Sequence, residues 1–298
     1  MLTGSITGDI KYQFRNGNMV MKLLFVNLGV FLFFGLFNVF SWLAQSSTAY
    51  NFLLAKLEVP ASLTLLLHQP WSVFTYMFLH VNLLHVLFNM LWFYWFGDIF
   101  VLYLGDKKVL PLYILGGLSG ALVYILAFNF IPVFRPQLNM TLMLGASASI
   151  FAIVFAAATI NPDHEIGLFL LGNVKIKYIA VISLLLDIIN IPNGNAGGYL
   201  AHVGGALFGY LYITSLKSGF DLGSPFVNFF NWVGALFKRK PKVKVSYKNV
   251  EKKNNPTPSR SKADQDKVDE ILDKIARSGY DSLTKEEKDF LFNYSKKQ

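Results

Sequence analysis

Three apolar stretches of the chain carry polar side chains at spacings that can do chemistry. They read His80-Val-Asn-Leu-Leu-His85-Val-Leu-Phe-Asn89, Gly145-Ala-Ser147-Ala-Ser149, and Ala201-His202-Val-Gly-Gly205 followed by Gly209. A serine hydroxyl is a weak nucleophile until a base removes its proton, and histidine is the side chain best suited to do so at neutral pH. Ser147 and His202 are the candidate pair. Attack on a carbonyl creates an oxyanion that needs fixed donors. The Asn89 amide, the His85 imidazole and the backbone N–H of Ser147 could supply them. His85 and Asn89 are four residues apart, so on a helix they share a face. Asp187 is the only carboxylate of its apolar stretch, and nothing in the sequence turns it towards His202. The expectation is therefore a Ser147–His202 dyad and not a triad.

Elements long enough to hold these groups follow from hydropathy. The 298 residues are 53% hydrophobic, 16% aromatic and 15% charged, with mean hydropathy +0.42, too apolar for an ordinary soluble domain. A membrane-crossing helix needs about 20 mainly apolar residues. Six stretches qualify or nearly do: 22–44, 81–104, 109–130, 142–160, 176–191 and 199–216. The last three are short and rich in Gly, Ala and Ser, which predicts central helices shielded by their neighbours. Pro225 to Phe237 is too short to span, and its aromatic residues beside Lys238-Arg239-Lys240 suit a helix lying in the interface. The fold class is an all-α polytopic membrane protein: a bundle of six transmembrane helices, an interfacial helix and a small cytosolic helical hairpin.

Charge sets direction. The chain carries +9 overall, of which residues 1–237 hold +2 and residues 238–298 hold +7. Lys11, Arg15 and Lys22 precede the first segment, Lys107 and Lys108 fill the second loop, and Lys175 and Lys177 the fourth. The first and third loops have only Lys56 and Arg135, and the fifth has none. The positive-inside rule then places both termini in the cytoplasm, with the first segment an uncleaved anchor in what is expected to be a bacterial plasma membrane. Segments two, four and six run inward, and each polar cluster lies near the start of its own segment. His85, Asn89, Ser147 and His202 thus fall at one depth below the outer surface. On a helical wheel Gly198, His202, Gly205 and Gly209 lie within roughly 60° of one another. That small-residue face can approach Gly145, Ala148, Ala152 and Ala156 of the fourth segment closely, bringing Ser147 to His202.

Simpler roles fit the remaining polar residues. Ser149 is expected to pack, His80 to tie the long first loop to its helix by hydrogen bonds, and His68 and His164 to be solvated. The first loop, with Trp71 and Phe74, is expected to lie partly in the outer leaflet. The i, i+5 spacing of His80 and His85 without a neighbouring carboxylate argues against zinc. No cysteine is present, no cofactor is implied, and no nucleic-acid-binding domain is recognisable. A transporter would need polar groups continuing to the cytoplasmic side, or a repeat between halves, and neither is evident.

His80-x4-His85-x3-Asn89, Gly145-x-Ser147 and Ala201-His202-x2-Gly205-x3-Gly209, in that order on the second, fourth and sixth segments, resemble the rhomboid family of intramembrane serine proteases. The resemblance covers about residues 22–217. It implies a rhomboid-like bundle in which Ser147 is the nucleophile, His202 the general base and acid, and His85 with Asn89 the oxyanion stabilisers. It further implies transmembrane protein substrates cleaved near the outer membrane face, a lateral first loop, and a gate and cap formed by the fifth segment with the Ile191 to Gly198 loop. Ala148 stands where many members have glycine, Phe151 where a tyrosine often packs under the base, and Trp71-Ser72 where some have Trp-Arg. A rhomboid-like chaperone that binds membrane clients without cutting them is the alternative; such proteins lack the serine or the histidine.

The expected domains are a cytosolic segment 1–21, a protease domain 22–217, an interfacial helix and basic segment 218–240, and a linker with a helical hairpin 241–298. The linker stretch, 238–262, is Lys-rich. Val268, Ile271, Leu272 and Ile275 follow helical spacing, Gly279 can stop that helix, and Thr284 with Glu287 is a capping-box pair before Phe290, Leu291 and Tyr294. The partner of this tail is not legible.

Overall fold

A computed structural model describes residues 6–168, 172–237 and 262–295. The basic cluster Lys238-Arg239-Lys240, and all of the expected linker but Lys262, lie outside the described residues. The chain divides into two compact units, Met1–Arg239 and Lys240–Gln298.

The first unit is helical. In order it comprises α1 (Ile6–Asn16), α2 (Met19–Leu43), α3 (Thr48–Leu57), β1 (Val59–Pro60), α4 (Leu63–His68), α5 (Ser72–Thr75), α6 (Leu83–Leu104), α7 (Val109–Phe130), β2 (Leu142–Met143), α8 (Ser147–Ile160), β3 (Glu165–Leu168), β4 (Gly172–Lys175), α9 (Ile176–Asn190), α10 (Ala196–Lys217) and α11 (Ser224–Phe237). The six expected segments are α2 and α6 to α10. By length and composition α2, α6, α7 and α9 can each cross a membrane; α8 is apolar but has 14 residues. The chain is a helical polytopic membrane protein.

Two boundaries differ from expectation in ways that matter. The fourth segment was expected to begin at 142, yet its helix starts at Ser147. Leu142 and Met143 instead pair antiparallel with Pro60 and Val59, and Gly145 takes φ +129°, which no helix accommodates. The second segment starts at Leu83 because the Asn82 side chain caps it, accepting from the N–H groups of Leu84 (2.9 Å) and His85 (3.2 Å). The antiparallel β3–β4 hairpin and the short helices of the first loop carry no sequence signal strong enough to have been read.

The first loop is pinned to α7 by buried phenols. Tyr76 Oη donates to Gly117 O (2.6 Å) and Tyr113 Oη to Met77 O (2.8 Å), while Asn27 of α2 donates to Tyr113 Oη (3.2 Å). Each such bond contributes about 0.5–1.5 kcal/mol net, and a partner left unpaired costs more. Their main effect is register: they fix the loop that leads into α6.

At the centre, α7, α8 and α10 pack at backbone distance. A methyl on Gly205 would stand 2.9 Å from the carbonyl carbon of Ala148, and one on Gly209 2.8 Å from that of Ala152. These are the small-residue faces expected of α8 and α10. Gly198, grouped with them on the wheel, faces the capping side chain Asn195 instead, which accepts its N–H. The sequence reading missed the third partner. A methyl on Gly120 of α7 would meet both Ala148 Cβ (2.5 Å) and Ala201 O (2.8 Å). Ala148 follows Ser147 and Ala201 precedes His202, so one glycine of α7 sets how closely the two candidate residues sit.

The second unit is a hairpin of α12 (Lys262–Ser278) and α13 (Lys285–Ser295). Gly279, at φ +81°, ends α12. Thr284 and Glu287 form the reciprocal capping box: the Thr284 N–H donates to the Glu287 carboxylate (2.7 Å) and the Glu287 N–H to Thr284 Oγ1 (3.3 Å). Ile271 and Leu283 are buried, whereas Leu272 is exposed.

Candidate active site

Ser147 is the first residue of α8, so its N–H has no acceptor within the helix and sits at the positive end of the helix dipole. The turn before it is held by Gly145, whose N–H donates to Tyr76 O (2.9 Å). A side chain at 145 would begin 3.0 Å from His85 Cε1 and 3.6 Å from Ser147 Oγ. The imidazole and the hydroxyl therefore converge over a bare stretch of backbone that glycine alone provides.

His85 and Asn89 lie one turn apart on α6, as expected from their spacing, and both face a cavity of about 290 Å³ that Ser147 and His202 also line. Trp92 and Phe151 form apolar walls, and Phe151 stacks on the His202 ring at 4.3 Å between centroids and 11° between planes. The phenylalanine thus packs under the base without a phenol.

His80 ties the end of the first loop to α6 by a hydrogen bond, as expected. Its Nε2 lies 3.0 Å from Asn89 Nδ2, so the ring accepts from the amide and fixes which way Asn89 turns. His80 is buried just ahead of the capped start of α6, where that amide was within reach. Ser149 Oγ is buried and, among the described residues, has no hydrogen-bond partner; it packs towards Gly117. His68 bonds Thr64 O and His164 lies against Tyr103, both away from this cavity.

The expectation that nothing orients Asp187 towards His202 is overturned. Asp187 Oδ2 lies 2.7 Å from His202 Nδ1, and Asp187 lines the same cavity. A carboxylate only accepts, so Nδ1 donates to Asp187 and Nε2 is left facing away from it. That expectation failed on azimuth: the α9 wheel alone does not say which side faces α10. A carboxylate inside an apolar stretch was itself the available signal, because such a charge is retained only with a partner.

Comparison with known proteins places this geometry. The family model for the rhomboid domain matches residues 67–218, about half of the chain. A second model, described as a family of unknown function (DUF6576), matches residues 249–297. Among similar proteins, RHOMBOID-like protein 12, mitochondrial, of Arabidopsis thaliana is 25% identical over 68% of this chain and 59% of its own length. Presenilin-associated rhomboid-like protein A, mitochondrial, of Danio rerio is 31% identical over 52% of this chain and 38% of its own. Rhomboid protease GlpG of Salmonella paratyphi A is 28% identical over 30% of this chain and 39% of its own. The chain therefore spans less than two thirds of each of these relatives. The rhomboid match begins before α5 and ends just past α10, enclosing every residue that lines the serine–histidine cavity, and the chain belongs to the rhomboid family.

Proposed function

We propose that the chain is an intramembrane serine endopeptidase. The observation that carries this reading is the cavity in which Ser147, His202, His85 and Asn89 face one another. Family membership and the similarity to a named rhomboid protease support it.

In this mechanism the Ser147 hydroxyl attacks the scissile carbonyl carbon while His202 Nε2 takes its proton. The oxyanion receives hydrogen bonds from the Ser147 N–H, the second N–H of the Asn89 amide and the His85 ring. The tetrahedral species collapses, His202 returns the proton to the leaving amine, and the C–N bond breaks to leave an acyl-Ser147 ester. Water, deprotonated by His202, then releases the acid and regenerates the serine. Loop charge supports both termini in the cytoplasm and a site opening towards the outer face of the membrane. A substrate helix must unwind locally there, because helical hydrogen bonds hide the scissile carbonyl. Its expected signature is small or helix-breaking residues near the cut.

The test is cleavage of a transmembrane reporter by purified wild type, Ser147→Ala and His202→Ala in detergent. Both variants are expected to lose cleavage, and cleavage surviving Ser147→Ala would overturn the assignment.

A further inference from the structure

We infer that Asp187 is the positioning residue of His202, and that the base is fully competent only while α9 is seated against α10; the inference rests on the protease reading above. Two contacts hold the imidazole. Stacking on Phe151 fixes the plane of the ring, but a flip of the ring within that plane leaves the stack intact and exchanges the edges it presents. The 2.7 Å bond from Nδ1 to Asp187 removes that freedom, because a carboxylate accepts only from the protonated nitrogen. The opposite nitrogen, Nε2, is then the basic one. Both side chains are largely withdrawn from the surface, at 13% exposure for His202 and 18% for Asp187. Once the base takes the serine proton, the imidazolium lies beside a fixed negative charge where dielectric screening is weak.

The location of Asp187 adds the second half. Helix α9 buries only Ile176 and Ala180 fully, both near its start. Around Asp187 the helix exposes Leu185, Leu186, Ile188 and Ile189. Ser183 and Asn190 bond carbonyls of α9 itself. Asn190 also accepts from Asn193 in the turn that follows, so among the described residues the bond to His202 is the one side-chain hydrogen bond that ties residues 183–190 to another of the long helices. Moving this end of α9 outward strips little packing, and it takes the carboxylate away from the base. Among the described residues, His85 is the other titratable group of the cavity, facing from α6, and no lysine or arginine lines it, so the charge partner of His202 there is Asp187.

The experiment compares wild type with Asp187→Asn, Asp187→Ala and Asp187→Glu in detergent. It reads kcat and KM for a transmembrane reporter, the rate of Ser147 labelling by a fluorophosphonate, and thermal stability. Asp187→Asn keeps the size of the side chain but removes its charge and its demand for one tautomer. It is expected to lower kcat and labelling by about 10–100-fold, part of the roughly 10²–10⁴-fold that a positioned base supplies. KM should stay within about twofold, and Asp187→Glu should regain most of the loss. Nitrogen-15 spectra of the five histidines, with His202 assigned by His202→Gln, should show a protonated Nδ1 that becomes mixed in Asp187→Ala. Wild-type kcat and labelling in Asp187→Asn, with only stability reduced, would make Asp187 a tether and overturn the inference. A wild-type chain that neither cleaves nor labels, or a Ser147→Ala chain that still cleaves, would instead overturn the protease reading and this inference with it.

Discussion

Replacing Gly205 by alanine tests whether the spacing of α8 and α10, and not merely their sequence motifs, makes the site. The added methyl would stand 2.9 Å from the Ala148 carbonyl carbon and 3.2 Å from Ala148 Cα. Non-bonded carbons prefer about 3.5–4.0 Å, and the Ala148 carbonyl oxygen lies nearer still, so α8 and α10 must part by at least about 1 Å at this level. The obstacle is backbone, which cannot rotate aside as a side chain would. Overpacking of this kind costs about 1–3 kcal/mol of stability. The larger effect is on chemistry. Ala148 follows Ser147, and Gly205 lies three residues, just under one helical turn, beyond His202, so the displacement passes almost undiminished to the Ser147–His202 distance. A misplacement of about 1 Å lowers rate by about 100-fold. The assay is reporter cleavage in detergent with thermal stability measured in parallel, and Gly35→Ala is the control. Nothing lies within 4 Å of a methyl on Gly35, so that variant should keep wild-type kcat. A folded Gly205→Ala protein with kcat within about threefold of wild type would refute the reasoning that helix contact sets the Ser147–His202 geometry.

Three further outcomes are expected. Gly145→Ala combines a φ of +129° with a methyl 3.0 Å from His85; kcat should fall by about tenfold or more, as read in the same cleavage assay, and fluorophosphonate labelling should slow with it. Asn82→Ala removes the cap that orients the first turn of α6 and should cost about 1 kcal/mol in detergent unfolding, with cleavage reduced at most severalfold. In the tail, the Lys274 ammonium, and after it the Thr284 N–H, hold the Glu287 carboxyl below its ordinary value of 4.5. A depressed folded value means that the bond's contribution is present above about pH 4.5 and lost as pH falls through the lower, folded value. Carbon-13 titration of the Glu287 carboxyl should give a midpoint under 4.5 that returns towards it in Lys274→Ala; an unchanged midpoint would count against the ion pair.

The chemistry-bearing residues were legible because the membrane makes polarity rare. In a body this apolar, His85, Asn89, Ser147 and His202 stand out, and they line one cavity. The α8–α10 contact was legible for a related reason: glycine and alanine recurring along one helix face leave only close packing as an explanation. What the sequence hid is the set of contacts made by residues with several plausible partners. Gly120 belongs to a helix that carries no catalytic candidate, yet it touches the neighbours of both Ser147 and His202. His80 reads as a loop tie, and only the capped start of α6 reveals that its partner is Asn89.

Asp187 marks the boundary between the two kinds of information. Its depth was available. Asp187 lies three residues before the end of α9 and His202 six residues after the start of α10, so at about 1.5 Å per residue they sit about 4.5 and 9 Å from the shared turn. Five residues, 191–195, join the two helices, so the helices are antiparallel neighbours and the two side chains differ in level by less than one helical turn. Azimuth was not available, because an apolar helix exposed to lipid over most of its surface has no hydrophobic stripe to say which side faces the bundle. The single carboxylate of α9 supplies that missing phase. A carboxylate on such a helix is stable only where a partner meets it, so it turns α9 until Asp187 faces His202. On this argument the polar bond orients the helix as much as the helix positions the bond. Asp187→Leu should therefore keep α9 helical and apolar while loosening its rotation, which spin labels at residue 186 would detect as broadened distances to α10. Distances as narrow as in the wild type would show that packing alone sets the azimuth of α9.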